Sequence, residues 1–229
     1  MKSLTRRRVL TTGLGLAGGL GLAVTGGTGA AHAAGRSQPS AQTEEWTRKT
    51  TANGWAVTGY EGIAPHKVEG SPVTVALRGG AVATVLTYVA RRFFYEIDSS
   101  LSSEDITGHT SRRDIAAAFE SNYLSGTAIA IRPGAYPLGV KDGLFPHEIV
   151  VVRDILAECD GVVRWGRDEE VPKESHFQID LAPGDKRLKA LAAKIDQWNR
   201  TPGQGAGSVD ASLPARRQAA RALERRQAR

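Results

Sequence analysis

A single cysteine leaves the chain without any internal disulfide, so its stability has to come from packing and hydrogen bonding. Cys159 falls on an apolar helical pattern, which suits a buried, inert thiol. A nucleophilic thiol needs a histidine and an orienting group beside it, and no such constellation is legible. Long hydrophobic runs are missing too: the one weakly apolar stretch, 10–24, is short and rich in glycine, too short for a stable membrane span. No internal repeat is evident. Nor is there a basic domain, although the net charge is +6. Lys2, Arg6, Arg7 and Arg8 give the first 33 residues +4, and residues 205–229 hold six arginines against two acids for another +4, leaving the body at −2. Basicity confined to the ends is not the footprint of a nucleic-acid-binding domain, so no nucleic-acid partner is expected.

What is present begins with an export pattern. Twin arginines within Arg6-Arg7-Arg8 precede the weakly apolar run, and Ala31-His32-Ala33 offers a small-x-small cleavage site. Residues 1–33 therefore read as a Tat signal that exports an already folded bacterial protein; a membrane anchor is the alternative, and no membrane span is expected after processing. Residues 34–45 are polar and aperiodic, a flexible leader. A folded body is expected over 46–200. Residues 201–229 then shift to Gly, Gln, Ala and Arg, a basic tail that is either disordered or helical when bound to an anionic wall polymer or lipid surface.

Within the body, Trp46, Trp55 and the Asn53-Gly54 turn signal suggest a hairpin or short extended segment lying on the domain surface. Val73–Leu77 alternates as a strand. Val82, Val85, Leu86, Val89 and Phe93 recur at helical spacing and predict a helix over 81–95, followed by a polar loop over 97–110. Pro146 and Glu148 open a second helix whose face runs through Ile149, Val152, Ile155, Leu156 and Cys159. Asp185 caps a last one carrying Leu188, Leu191, Ala192, Ile195 and Trp198. Strands are expected over 127–131, 162–165 and 173–180. Alternation places Ala128 and Ala130 on one side of the first, and His176, Gln178 and Asp180 on one side of the last. The fold class is α+β, with helices packed on a small antiparallel sheet.

Two segments carry the candidate chemistry: Ser121–Ile131, SNYLSGTAIAI, and Lys173–Asp180, KESHFQID. They resemble the signature segments of the LAS-type zinc peptidases of the M15 family, the D-alanyl-D-alanine carboxypeptidases and L-alanyl-D-glutamate endopeptidases. Those segments read S-x-H-x-x-G-x-A-x-D and acid-x-x-H. The resemblance covers residues 70–198 and implies a Hedgehog/DD-peptidase-like fold. Ser121, Gly126 and Ala128 match the pattern. Where it implies a histidine and an aspartate on zinc, this chain has Tyr123 and Ala130; where it implies the general base, Lys173; His176 is the one ligand position retained.

A catalytic zinc needs about three protein ligands, an open position for water and a base to take its proton. A methyl group coordinates nothing, a phenol titrates at about pH 10, and an ammonium repels a dication. The expectation is a pseudoenzyme with no catalytic residue and no zinc, in which Tyr123 leans into the space freed at Ala130 and closes over His176. The resemblance further implies that Arg112 or Arg113 meets a substrate carboxylate, although a solvated arginine pair accounts for them equally well, and that Trp165 lines the cleft floor. Without metal, His176 is expected as a structural residue that needs a hydrogen-bond partner; the functional alternative is that His176, Lys173 and one of those arginines form a cationic cleft for a carboxylate. The implied partners are peptidoglycan stem peptides, an anionic wall polymer or a wall enzyme. The alternative is an active zinc peptidase that recruits His109 or His147 beside His176.

Overall fold

The computed structural model describes residues 43–228. The expected export signal and most of the leader lie outside the described residues. The leader ends earlier than expected, because Glu44–Glu45 already form a strand, β1, paired antiparallel with β5, Asp114–Ile115. The hairpin anticipated around Asn53-Gly54 is present: Thr50 bridges Ala56, and the Gly54 amide, at φ 84°, donates to the Thr51 carbonyl at 2.9 Å. A left-handed φ of this kind is open to glycine without strain. A second hairpin follows, β2 (Ile63–Lys67) with β3 (Thr74–Arg78).

The central sheet has four antiparallel strands in the order β4, β6, β8, β7, spanning Ile106–Thr107, Ala128–Ile131, His176–Ile179 and Val163–Trp165. β4 falls inside the segment expected to be a loop. Two residues are too few to show a period, and only pairing with Ile131 and Ala130 makes them a strand. Ile129 stands opposite Phe177, and Phe177 opposite Trp165, so the pleat turns all three to one face. That face is the core. Helices α1 (Ala81–Glu96), α2 (Pro146–Glu158) and α3 (Lys186–Arg200) cover it, burying Val85, Leu86, Val89, Val152, Ile155, Leu156, Leu191 and Ile195. Each such side chain contributes roughly 1.5–3 kcal/mol on leaving water. The molecule is thus α+β, with helices on small antiparallel sheets.

Of the two expectations for the tail, a disordered segment or a helix formed against a partner surface, the structure has a helix, and the surface it meets is the protein's own. Pro214–Gln227 is a helix, α4, packed on α2 through Ala220 and Leu223. Buried charge completes the attachment. Arg216 of α4 bonds Asp154 through Nε at 2.7 Å and approaches Glu158 at 2.7 Å. Arg92 of α1, 1% exposed, holds Asp154 at 2.8 Å, Glu158 at 2.6 Å and Glu96 at 2.6 Å. Burial opposes the Arg92 charge, but the surrounding carboxylates outweigh it and raise the guanidinium pKa. Cys159 is fully buried beside this cluster, its thiol pushed up to about 12 mainly by burial, which fits an inert role. Among the described residues, no helix is long and apolar enough to cross a membrane.

Candidate functional site

The face of the sheet opposite the core carries Ala128, Ala130, His176 and Gln178: Ala130 stands opposite His176, and Ala128 opposite Gln178. A run of tight 3₁₀ turns over Ala118–Ser125 lies across it, ending at Gly126 in the left-handed region at φ 68°. Only glycine fits there, since a Cβ would come within 2.7 Å of the Arg78 amide nitrogen. Gly166 is required for a different reason. A Cβ on it would stand 2.5 Å from the Lys173 carbonyl oxygen and 2.9 Å from the His176 Cβ.

Tyr123 packs with Ala128 and Ala130, filling the space beside the Ala130 methyl. Its ring meets His176 edge-on at 5.1 Å between centroids, and Phe119 covers the imidazole from another side at 4.7 Å. The imidazole is fully buried, and both its nitrogens are engaged. Nδ1 lies 2.6 Å from the Tyr123 hydroxyl and Nε2 lies 2.8 Å from Gln178 Oε1.

The direction of the protons in this chain of bonds follows from one backbone amide and from the neutrality of the buried ring. The Asn53 N–H can only donate, and it meets Asn122 Oδ1 at 3.1 Å. Asn122 must therefore offer Nδ2 to Gln178, whose Oε1 accepts at 2.6 Å. That oxygen can only accept, so His176 carries a proton on Nε2, and the neutral ring that burial favours leaves Nδ1 bare. The Tyr123 hydroxyl then donates to Nδ1. The network is satisfied by a neutral imidazole and a neutral phenol. Burial, with the nearby Lys173 charge, lowers the His176 pKa to about 4 despite its bond to Gln178. Burial, with Glu120, raises the Tyr123 hydroxyl well above its ordinary value.

The cationic cleft offered by the position of Lys173 does not form, because Glu120 neutralises the lysine. Its ammonium pairs with Glu120 at 2.6 Å and rests 5.3 Å from the centre of the Tyr123 ring. Burial works to raise the Glu120 carboxyl, but the Lys173 bond and charge, with the Ala116 and Ala117 amides, hold it below the usual range. Arg112 is exposed and meets Asp114 at 3.4 Å. Arg113 donates to the Trp46 carbonyl at 2.8 Å, tying the β1 region down. Ser121 is equally committed: its hydroxyl donates to the Ala118 carbonyl at 2.7 Å and accepts the Ala52 amide at 2.9 Å. Trp165 lies on the other side of the sheet from His176, stacked on Phe177 at 6.1 Å, and so cannot floor the cleft. Alternation decides this: Trp165 stands opposite Phe177, one residue out of step with His176.

The residues at the expected zinc site do not fit the ion. Both imidazole nitrogens are spent, the position opposite is a methyl, and the neighbouring cation is locked to Glu120. The alternative ligands are engaged elsewhere, His109 with the Thr58 carbonyl at 3.0 Å and His147 stacked on Phe145 at 5.6 Å. Among the described residues, no group of three or more His, Cys, Asp or Glu side chains could hold a metal ion.

Phe119, Glu120 and Asn122 escaped sequence reasoning, although they adjoin the motif position Ser121. Asn122 and Gln178, amide side chains within the two candidate segments, are the signal that could have found them, because buried amides need partners. Glu174 escaped as well. It is 1% exposed, and its carboxylate accepts the amides of Asp142, Gly143 and Leu144 while pairing with Arg167.

Beside the His176 network opens a cleft of about 440 Å³. One wall is the segment 116–119, and the other carries Arg164, Glu169, Val171, Gln178 and Asp180. No protein-family model, curated protein or solved structure matches the chain.

Proposed function

We propose that this is an exported, cell-wall-associated protein of the M15 peptidase type, with a Hedgehog/DD-peptidase-like fold, that has lost catalysis and binds peptidoglycan stem peptides through the cleft beside Gln178. The observation that carries the reading is the His176 bond to Tyr123. A histidine at the retained ligand position is closed by a phenol where the resemblance calls for a second ligand, and Ala130 faces it. The motif frame and the adjoining cleft favour recognition of the old substrate class, while the sealed imidazole leaves nothing to activate water. Export by the Tat route fits a protein that carries a twin-arginine start and one buried thiol. Exposed arginines on α4, among them Arg217, Arg221 and Arg225, offer a second contact to anionic wall polymer.

The test uses untagged protein, dialysed and assayed for zinc, and then sedimented with insoluble peptidoglycan. The expected result is substoichiometric zinc, no release of D-alanine, and co-sedimentation with the wall material. Stoichiometric zinc that survives dialysis would overturn the loss of catalysis. Protein left wholly in the supernatant would overturn wall binding.

A further inference from the structure

The cleft holds polar chemistry that the His176 network leaves unused. Gln178 is 6% exposed, and its Oε1 is taken by Asn122 and His176. Its Nε2 has no acceptor among the described residues, nor is that nitrogen sealed in the interior, so the amide N–H₂ opens on the cleft that Gln178 lines. Donors this nearly buried are seldom left idle. Asp180 follows two residues on, on the same side of the extended chain, and Glu169 faces it. Both carboxylates lie 3.5 Å from the single Nε of Arg164. Charge-assisted bonds normally close to about 2.7–2.9 Å, so one loosely placed guanidinium is shared between two acids and saturates neither. Burial raises both carboxyls in spite of Arg164; Arg187 pulls Asp180 the other way, and Asp180 and Asp168 push Glu169 further up. Glu170 adds a third carboxylate to the lining.

We propose that this cleft binds a peptide bearing a primary ammonium, which sits between Asp180 and Glu169 while a peptide carbonyl accepts from Gln178 Nε2. The two anchor points stand two residues apart along an extended segment, about 7 Å, which is the repeat of an extended peptide laid beside it. The polarity is opposite to the carboxylate-binding cleft suggested by Lys173, because Glu120 neutralises that lysine while the acids around Arg164 are under-compensated. The choice of a stem peptide as ligand rests on the function proposed above; the ammonium preference rests on the cleft alone. A diamino-acid side chain and a free peptide N-terminus present the same chemistry.

Calorimetric titration of the full protein separates the sources. Three probes are used: the tetrapeptide L-Ala-γ-D-Glu-L-Lys-D-Ala, the same peptide acetylated on the lysine Nε, and the same peptide acetylated on its N-terminus. Acetylation of the bound ammonium, and that one only, is expected to weaken binding at least ten-fold. An Asp180→Asn, Glu169→Gln variant, checked for folding by circular dichroism, should lose a similar factor for the parent peptide and little for the peptide already acetylated at that amine. Equal affinity for all three peptides, in both proteins, overturns the ammonium site and leaves stem-peptide binding standing. Failure of every peptide to bind overturns the stem-peptide reading and this inference with it.

Discussion

Acid should destabilise this protein through one residue before its carboxylates titrate. His176 is neutral in the fold, with its pKa lowered from 6.5 to about 4 by burial, the bond to Gln178 working the other way. In the unfolded chain the imidazole takes up a proton at its ordinary pKa. The stability tied to neutral His176 is therefore fully present above about pH 6.5 and is lost as pH falls toward about 4. The full difference corresponds to about 3 kcal/mol, of which about 2 kcal/mol is gone by pH 5. In urea that shifts the unfolding midpoint by about 1 M between pH 8 and pH 5, for an m-value of about 2 kcal/mol/M. Glu169 and Asp180, whose carboxyls are raised mainly by burial, act with the opposite sign. The comparison is accordingly made against His176→Asn, which keeps those carboxylates. The variant is less stable at pH 8, but its loss between pH 8 and pH 5 should be about 2 kcal/mol smaller than that of the parent. Direct NMR titration of the His176 ring supplies an independent reading. A ring that titrates between pH 6 and 7 in the folded protein would refute the reasoning, as would identical pH dependence of parent and variant.

Tyr123→Phe removes the donor to His176 Nδ1 while keeping the ring against Ala128 and Ala130, and should cost about 1–3 kcal/mol in denaturant unfolding, the penalty of an orphaned buried acceptor. A cost under about 0.5 kcal/mol would show that the hydroxyl is not needed there. Lys173→Ala strands Glu120, whose carboxyl should then titrate higher and whose burial should cost on the order of 1–3 kcal/mol; Lys173→Met with Glu120→Gln should recover most of that loss. Arg216→Ala removes the α4 cation that meets Asp154 and Glu158, and hydrogen exchange should report faster exchange of amides over 214–227 than in the core strands. Unchanged protection of α4 would mean that Ala220 and Leu223 hold it without the charges.

Three helices were legible because each shows its period locally. Val82, Val85, Leu86, Val89 and Phe93 mark α1 without reference to any other part of the chain, and α2 and α3 are marked the same way. The two motif strands were legible by alternation, which put Ala130 on one side and His176 with Gln178 on one side. α4 was legible only as a helix that needs a binding surface, because its apolar face amounts to little more than Ala220 and Leu223, and what fastens it is Arg216 reaching Asp154, 62 residues away. β4 was hidden because it has two residues and becomes a strand only by pairing with β6.

By itself the sequence determined four of the residues at the site, Tyr123, Ala130, Lys173 and His176. It also confined the excess positive charge to the ends of the chain. Only the tertiary structure decided what those residues do, because each finds its partner across a long stretch of chain. Tyr123 and His176 are 53 residues apart, as are Glu120 and Lys173. A side chain's charge state is set by what surrounds it. Burial makes His176 neutral, Glu120 cancels Lys173, and the acids gathered around Arg164 leave the cleft short of positive charge.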